Sequence, residues 1–327
     1  MSHSYILGSF NLRDFNYANT STDGENEHLN RDFDRIAKII LDEKFDVIAL
    51  QEINAESALR YLTGRLNLAK NPMRAYAYAF GADIPHTPGR KNTEYYGFIW
   101  NTQRLALVQH GENPGYYRGW AAKNLIRPPY FARFTARGRL GGANFELRIV
   151  NTHLLYGDNS TANLANRVAE FDTLVKDVLP FICDLQALPD DGAHMPAYTF
   201  LMGDYNLELQ RPEAMVYCVQ RETTTATCKR DTRTYLTVQT EKTSLRRAGD
   251  QQTLADCYAS NYDHFTYEDT LGRKLTMTPQ RVEALTAYYP ECAAPADKLA
   301  RYRAGISDHV PIKLTVTFCA PREVNHV

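Results

Sequence analysis

Short apolar runs bounded by polar turns recur along the chain. Seven of them cover residues 5–10, 47–50, 96–100, 145–151, 199–202, 264–267 and 310–318. Their length and β-branched content predict buried strands. Two further stretches predict helices, namely residues 31–42, whose apolar positions fall on one helical face, and residues 162–185. Helices therefore alternate with strands through the first two-thirds of the chain.

This alternation, with seven or more strands and no break in composition, predicts an α/β fold. We expect one domain over residues 1–327, built as a two-sheet sandwich with helices outside. Residues 221–247 differ from the rest because they are rich in Thr, Lys and Arg and lack an apolar period. They predict a long surface insertion.

The charge balance limits how the chain could bind nucleic acid. A hydrophobic content of 44% is typical of a soluble globular protein, and a formal net charge of -1 excludes binding through a global positive field. A local basic stretch remains, because residues 116–145 contain no Asp or Glu. It holds Arg118, Lys123, Arg127, Arg133, Arg137 and Arg139 among aromatic residues. The stretch is either the solvated face of a strand pair or a phosphate-contacting surface.

The six cysteines are scattered without a C-x-x-C pair, so they predict neither a zinc site nor a dense disulfide framework. We expect mostly free thiols. The chain starts Met-Ser-His-Ser and runs directly into a strand-like stretch, without the basic and apolar segments of a signal peptide. We therefore expect a cytoplasmic protein, or a secreted one if the sequence was trimmed. No run approaches the ~20 apolar residues of a membrane span, and no membrane partner is expected.

Five polar clusters follow or end the predicted strands. They are residues 9–13 (Ser-Phe-Asn-Leu-Arg), 46–52 (Asp-Val-Ile-Ala-Leu-Gln-Glu), 151–153 (Asn-Thr-His), 202–206 (Met-Gly-Asp-Tyr-Asn) and 306–311 (Ile-Ser-Asp-His-Val-Pro). Each alone is compatible with ordinary turn chemistry. Their joint occurrence in this order, with carboxylates, amides and two histidines at strand ends, indicates a catalytic site.

In order and spacing the five clusters resemble the signature of the endonuclease/exonuclease/phosphatase superfamily. The stretch around Glu94 (residues 89–96) and the pair Arg127-Pro128 most resemble its pancreatic-type deoxyribonuclease branch. The resemblance extends from residue 9 to residue 311. It implies a four-layered α/β/β/α sandwich and an enzyme that hydrolyses phosphodiester bonds. The substrate that it implies is nucleic acid, and more narrowly DNA.

Oxygen ligands suit Mg²⁺, which is a hard cation that keeps several waters. Glu52 is therefore the expected direct ligand, with Asn11 and Asp308 beside it. Mn²⁺ or Ca²⁺ could substitute for Mg²⁺ or assist it.

The remaining candidates handle water, protons and phosphate. Asp204 and Asn206 lie two residues apart and can point at the same phosphate, and the resemblance implies that they orient the water or bind the scissile group. His153 and His309 are the candidates for proton transfer, because imidazole titrates near neutral pH. The resemblance pairs Glu94 with His153 and Asp263 with His309. It also implies that Arg127 binds a substrate phosphate.

Two other functions stay open, a phosphoesterase acting on a lipid or soluble phosphate ester and a non-catalytic binding module. The presence of Glu52, Asp204 and His309 argues against a non-catalytic module. Within the deoxyribonuclease reading, Asn54 and Asn92 stand where pancreatic-type enzymes insert an Arg and a Tyr into the minor groove. An Asn side chain is too short to fill the minor groove, and it carries no charge that would be attracted to the groove's negative potential. We therefore expect cleavage that depends weakly on groove width, falls steeply with salt and extends to single strands.

Overall fold

Two large β-sheets form the centre of the computed structural model. It describes residues 3–17, 21–22, 28–29, 31–68, 75–82, 94–109, 111–136, 145–157, 160–186, 189–190, 193–208, 217–221, 233–239 and 241–318. In spatial order the first sheet contains β17 (Leu275–Arg281), β18 (Ile312–Phe318), β1 (His3–Phe15), β4 (Val47–Ile53), β6 (Tyr95–Asn101) and β5 (Tyr76–Phe80). Strands β1 and β4 are parallel, and the other neighbours are antiparallel.

The second sheet also has one parallel pair, formed by β10 (Glu146–His153) and β13 (Ala197–Asp204). Its other strands are β14 (Tyr217–Arg221), β15 (Arg233–Val238), β16 (Asp263–Glu268), β9 (Tyr130–Ala136), β7 (Leu105–Leu107) and β8 (Gly115–Tyr116). Two small hairpins lie apart from both sheets: β2 (Ser21–Thr22) with β3 (His28–Leu29), and β11 (Pro189–Asp190) with β12 (Ala193–His194).

Helices cover the outer face of each sheet. Those on the first sheet are α1 (Phe33–Asp42), α2 (Glu56–Leu68), α5 (Ala284–Tyr288) and α6 (Pro295–Gly305). On the second sheet, α3 (Thr161–Thr173) continues through a π-helical turn (Leu174–Val178) into α4 (Leu179–Cys183). No helix in the described ranges is both long and apolar enough to cross a membrane.

Side chains alternate between the two faces of each strand and so fill three separate cores. In β10, Ile149 packs in the core between the sheets, whereas Val150 packs under the outer helices. Strand β13 repeats the pattern, since Met202 lies between the sheets and Leu201 faces the helices. The result is the predicted four-layered α/β/β/α sandwich, which confirms the fold class.

Two sequence expectations need correction. Residues 233–238 do not belong to a surface insertion, because they form β15 inside the second sheet, and Ser244 forms an isolated bridge with His309. Residues 222–232 lie outside the described part of the chain. The basic stretch is also not one exposed face: Arg133 is buried in β9 and forms two hydrogen bonds with the carboxylate of Glu146.

Candidate active site

The polar clusters converge where the two parallel strand pairs end. Asn11 lies on β1, Glu52 on β4, His153 at the end of β10 and Asp204 at the end of β13. Because the two sheets pack face to face, these four strand ends meet at one edge of the sandwich. Asp263 begins β16 next to Asp204, and the loop before β18 supplies Asp308 and His309.

A cleft of about 420 Å³ opens at this edge. The predicted residues that line it are Glu52, Glu94, Arg127, His153, Asp204, Asn206, Asp308 and His309. Asn11 and Asp263 lie beneath its floor and contact the lining residues directly. The structure therefore brings all the sequence-predicted site residues together. Their roles stay predictions, because position alone does not test them.

Backbone irregularities aim several of these side chains at the cleft. The pairing of β1 with β4 shifts register between Asn11 and Phe15, and that of β4 with β6 shifts beside Glu52. Glu52 and Asn206 have φ angles of 57° and 48°, in the left-handed region that non-glycine residues seldom occupy. Such strain persists where the surrounding structure enforces it, and it is concentrated at functional sites.

Gly203 shows why this edge tolerates so little change. Its φ is 151°, and a Cβ atom there would lie 1.8 Å from the carbonyl oxygen of Thr152. A glycine lets β13 approach β10 closely at the point where His153 faces Asp204.

Glu52 is the predicted metal ligand that fits a cation best. Its Oε1 accepts a hydrogen bond of 2.7 Å from Asn11 Nδ2, and its Oε2 accepts one of 3.1 Å from the amide of Asp14. Burial raises the pKa of Glu52, the carboxylates of Glu94 and Asp308 raise it further, and His153 opposes them. Carboxylates crowded in this way are stabilised by a divalent cation, and their oxygens are the donors that Mg²⁺ prefers.

The other two predicted ligands are engaged elsewhere in the structure. The side-chain oxygen of Asn11 accepts from the amide of Arg13, so this amide presents its NH₂ group to Glu52 and Asp204. Asp308 Oδ2 lies 3.4 Å from Arg13 Nε and 3.9 Å from Arg303 Nη2. Both side chains would have to change partners before they could contact a cation near Glu52.

His153 lies among three carboxylates, because its Nε2 is also 3.8 Å from Glu52 Oε1. Its Nδ1 is 3.3 Å from Glu94 Oε2, and its Nε2 is 3.7 Å from Asp204 Oδ2. Burial and the Arg127 guanidinium oppose protonation, but Glu94 and Asp204 outweigh them and raise the pKa of His153. Arg127 Nη2 in turn lies 2.7 Å from Glu94 Oε2, and Nη1 donates to the carbonyls of His153 and Leu154. In this structure Arg127 therefore holds Glu94.

His309 has a closer carboxylate partner. Its Nδ1 lies 2.7 Å from Asp263 Oδ2, and its Nε2 lies 3.5 Å from Asp204 Oδ2. Burial disfavours the imidazolium, but the Asp263 and Asp204 carboxylates outweigh it and raise the pKa of His309 well above its usual value. Ser307 Oγ fixes the loop, because it accepts from the amide of His309 and donates to the carbonyl of Asn11.

Asp204 is the centre of the arrangement. One of its oxygens faces both imidazoles and accepts from Asn11 Nδ2, while the other accepts from the amide of Asn206. Asp204, Asp263 and His309 also offer ligand atoms within 4.8 Å of one another, so this buried group could hold a metal ion. The hydrogen bond between His309 Nδ1 and Asp263 Oδ2 already engages one possible ligand atom of each of these two residues.

Three arginines at the cleft, Arg13, Arg247 and Arg303, have no individual role predicted from the sequence. Arg13 belongs to the first polar cluster, and its position two residues after Asn11 was the available signal. Arg303 and Arg247 also line the cleft, from α6 and from the segment after β15. Neither has a local motif, because each reaches the site only through the tertiary fold.

Comparison with known proteins agrees with the site. Residues 8–214 match the model of the Endonuclease/Exonuclease/phosphatase family, which is more than half of the chain, and the chain belongs to this family. Members of the family hydrolyse phosphoester bonds, generally with a divalent cation. No curated protein matches the chain significantly.

Solved structures share the fold at low sequence identity. A family member from Bacteroides thetaiotaomicron has a TM-score of 0.53 and 15% identity, over 98% of this chain and 99% of that one. The mannosyl-6-phosphatase of Bacteroides thetaiotaomicron VPI-5482 has a TM-score of 0.52 and 16% identity, over 96% and 100%. D. rerio TDP2 complexed with a single-strand DNA product has a TM-score of 0.50 and 15% identity, over 96% and 98%. These likenesses support the fold and leave the substrate open.

Proposed function

We propose that the chain is a Mg²⁺-dependent phosphodiesterase whose substrate is DNA. The observation that carries the proposal is the pair of imidazoles on Asp204. Each has a carboxylate at Nδ1, and each directs Nε2 toward the same Asp204 oxygen, at 3.7 Å for His153 and 3.5 Å for His309. A phosphate bound over Asp204 would meet two proton carriers at once.

Hydrolysis of a diester needs both carriers, because the attacking water loses a proton and the leaving alkoxide gains one. One imidazole takes the proton of the water, and the other supplies the leaving oxygen. Glu94 and Asp263 orient the two rings and stabilise their charged forms. Asp204 and Asn206 position the water and the scissile phosphate.

Bound Mg²⁺ would be held by Glu52, and the remaining protein ligands would come from Asn11, from Asp308 or from the group formed by Asp204, Asp263 and His309. It would neutralise charge that develops on the phosphoryl oxygens. DNA as the substrate is supported by the resemblance of the stretch around Glu94 to deoxyribonucleases. The fold that TDP2 uses around a single-strand DNA product supports it as well.

A single-stranded substrate fits the chain better than a duplex read through its minor groove. Asn54 donates from Nδ2 to Asp14 Oδ1 at 3.2 Å, so its short side chain is tied to the adjacent loop. Asn92 lies outside the described residues. Binding that rests on phosphate contacts depends strongly on salt and weakly on groove width.

One observation favours a second substrate class, a soluble phosphate monoester. Four guanidinium groups, those of Arg13, Arg127, Arg247 and Arg303, line a cleft of only about 420 Å³. So many cations suit a terminal phosphate dianion. The fold is also that of a mannosyl-6-phosphatase.

The test is hydrolysis of a matched set of substrates with Mg²⁺ and with EDTA. The set contains single-stranded DNA, plasmid, RNA, bis-p-nitrophenyl phosphate, p-nitrophenyl phosphate and a hexose 6-phosphate. Asp204→Asn serves as the control for contaminating nuclease. We expect Mg²⁺-dependent cleavage of single-stranded DNA and of the diester. Turnover confined to the monoesters would replace the proposal with the second class.

A further inference from the structure

Two partly exposed tyrosines form an aromatic ridge outside the active site. Tyr17 follows β1 and Tyr61 lies on α2, and their rings meet edge to face at 5.0 Å. Both pack on Phe33, which is buried beneath them. Tyr17 is 49% exposed and Tyr61 is 40% exposed. Two tyrosine rings that pack on a buried Phe and remain partly exposed offer aromatic surface on which a flat ligand can stack.

Arginines flank this ridge on both sides. On one side a cavity of about 560 Å³ is lined by Arg31, Arg35 and Arg301 together with Tyr289. On the other side a cleft of about 460 Å³ is lined by Arg60 and Arg65. The nearby acids Asp32, Asp34 and Glu291 form ion pairs with Arg35, Arg65 and Arg301, so the positive charge beyond these pairs comes from Arg31 and Arg60. The surroundings of the ridge therefore suit an anionic ligand.

Arg31 has hydrogen-bonding capacity that the described residues do not use. It is 6% exposed, its Nη1 donates to the carbonyl of Ile306 at 2.7 Å, and its Nε and Nη2 have no partner within the described ranges. Burial and the charge of Arg13 lower the pKa of Arg31 to about 10, so the group still carries its charge at neutral pH. A buried cation with unpaired donors is costly, and an anion would satisfy it.

The cavity and the active-site cleft share a wall. Arg31 lines the cavity, and its charge interacts with Asp14, Glu52 and Asp308 of the cleft. Gly305 lines the cavity, and the chain from there to His309 runs along the catalytic floor. The cavity is therefore a neighbouring site that a polymer bound across Asp204 could reach on one of its two sides.

We propose that the ridge and the cavity with Arg31 bind the nucleotide next to the scissile phosphate of single-stranded DNA. This inference rests on the proposed function. A base stacks on Tyr17 and Tyr61, and the adjoining phosphate lies among the arginines. Aromatic side chains interleaved with cations bind unpaired strands in this way, since every base has a free face when it is not in a duplex.

The experiment measures binding of a fluorescein-labelled oligothymidylate to the full-length protein in EDTA, so that no turnover occurs. The variants are Tyr17→Ala with Tyr61→Ala, Tyr17→Phe with Tyr61→Phe, and Arg301→Gln. Phe181→Ala is the matched control, because Phe181 is a similarly exposed aromatic residue, 48% exposed, on α4 in the opposite outer layer.

Loss of base stacking predicts that the double Ala variant weakens binding ~5- to 150-fold, whereas the Phe pair and the control keep the wild-type affinity. Arg301→Gln should lower the slope of log affinity against log salt by about one phosphate contact. Hydrolysis of bis-p-nitrophenyl phosphate, which is too short to reach the ridge, should not change in any variant.

Unchanged affinity in the double Ala variant, with DNA still cleaved, would overturn this subsite and leave the proposed function standing. Tyrosine-dependent binding without cleavage of any nucleic acid would instead support the subsite and overturn the function. A wild-type protein that neither binds nor cleaves the strand would overturn both.

Discussion

The two histidine–carboxylate pairs differ in ways that predict different costs for their loss. Asp263 is fully buried and lies 2.7 Å from His309 Nδ1. Glu94 is 23% exposed, lies 3.3 Å from His153 Nδ1 and shares its charge with Arg127. The Asp263 carboxylate therefore acts on its imidazole at shorter range and with less screening.

We expect Asp263→Asn to lower kcat by about 10²- to 10⁴-fold, as loss of a proton-transfer group does. That range corresponds to ~2.7–5.4 kcal/mol of barrier. Glu94→Gln should cost about ten- to a hundredfold, because part of the Glu94 charge is already neutralised. Neither carboxylate is expected to touch the substrate, so KM should stay near the wild-type value.

The assay is steady-state hydrolysis of bis-p-nitrophenyl phosphate at saturating Mg²⁺, with thermal melting of each variant beside it. Equal losses in the two variants would contradict the reasoning from distance and burial. So would near wild-type kcat in a folded Asp263→Asn protein. A fall in kcat accompanied by a collapse of the melting temperature would assign Asp263 to the fold instead.

Three further predictions concern the metal and the scaffold. Exhaustive EDTA treatment should abolish hydrolysis, and Glu52→Gln should raise the Mg²⁺ concentration needed for half-maximal activity; an unchanged Mg²⁺ titration would remove Glu52 as the ligand. Gly203→Ala should prevent stable folding, because its Cβ would overlap a backbone oxygen, whereas Gly64→Ala, in open space on α2, should stabilise by ~0.5–1 kcal/mol in chemical denaturation. Glu146→Gln should destabilise by ~3–5 kcal/mol at neutral pH, because two buried arginines lose their counter-charge. Burial alone would raise the pKa of Glu146, but Arg133 and Arg148 outweigh it and lower this pKa. The stabilisation is therefore present above the ordinary carboxyl range, and the difference in stability from wild type should close as pH falls through the lowered pKa.

The sequence predicted the strand ends of the active site well, because those strands are continuous apolar runs. Strands buried on both faces leave that signal, and the polar residue directly after each run marks where it reaches the surface. Strand β15 was missed for the opposite reason. Its residues Arg233, Thr234 and Thr237 are polar. Arg233 pairs with Asp184 and Thr237 bonds with Thr266, and these partners are distant in the sequence.

Contacts between distant residues could not be predicted from local pattern. Arg133 gave the signal of a solvated basic strand, yet its buried partner Glu146 lies on the neighbouring strand. Arg13 on β1 and Arg303 on α6 meet Asp308 only in the folded structure. In each case the charge pattern shows that a cation is present, and the tertiary fold decides whether it faces water or a buried carboxylate.

The placement of Asp204 ties the chemistry of the site to the packing of the two sheets. Its contacts come from Asn11 on the first sheet, His153 on the second sheet and His309 on the loop before β18. No single element can bring these three groups within 3.7 Å of one carboxylate oxygen. The site therefore forms only when the inter-sheet core is packed, and its strained residues and crowded carboxylates are held in place by that packing. Proton transfer requires short distances, and a small shift between the sheets would lengthen them. Substitutions in the core between the sheets should therefore lower catalytic activity while the outer helices remain folded.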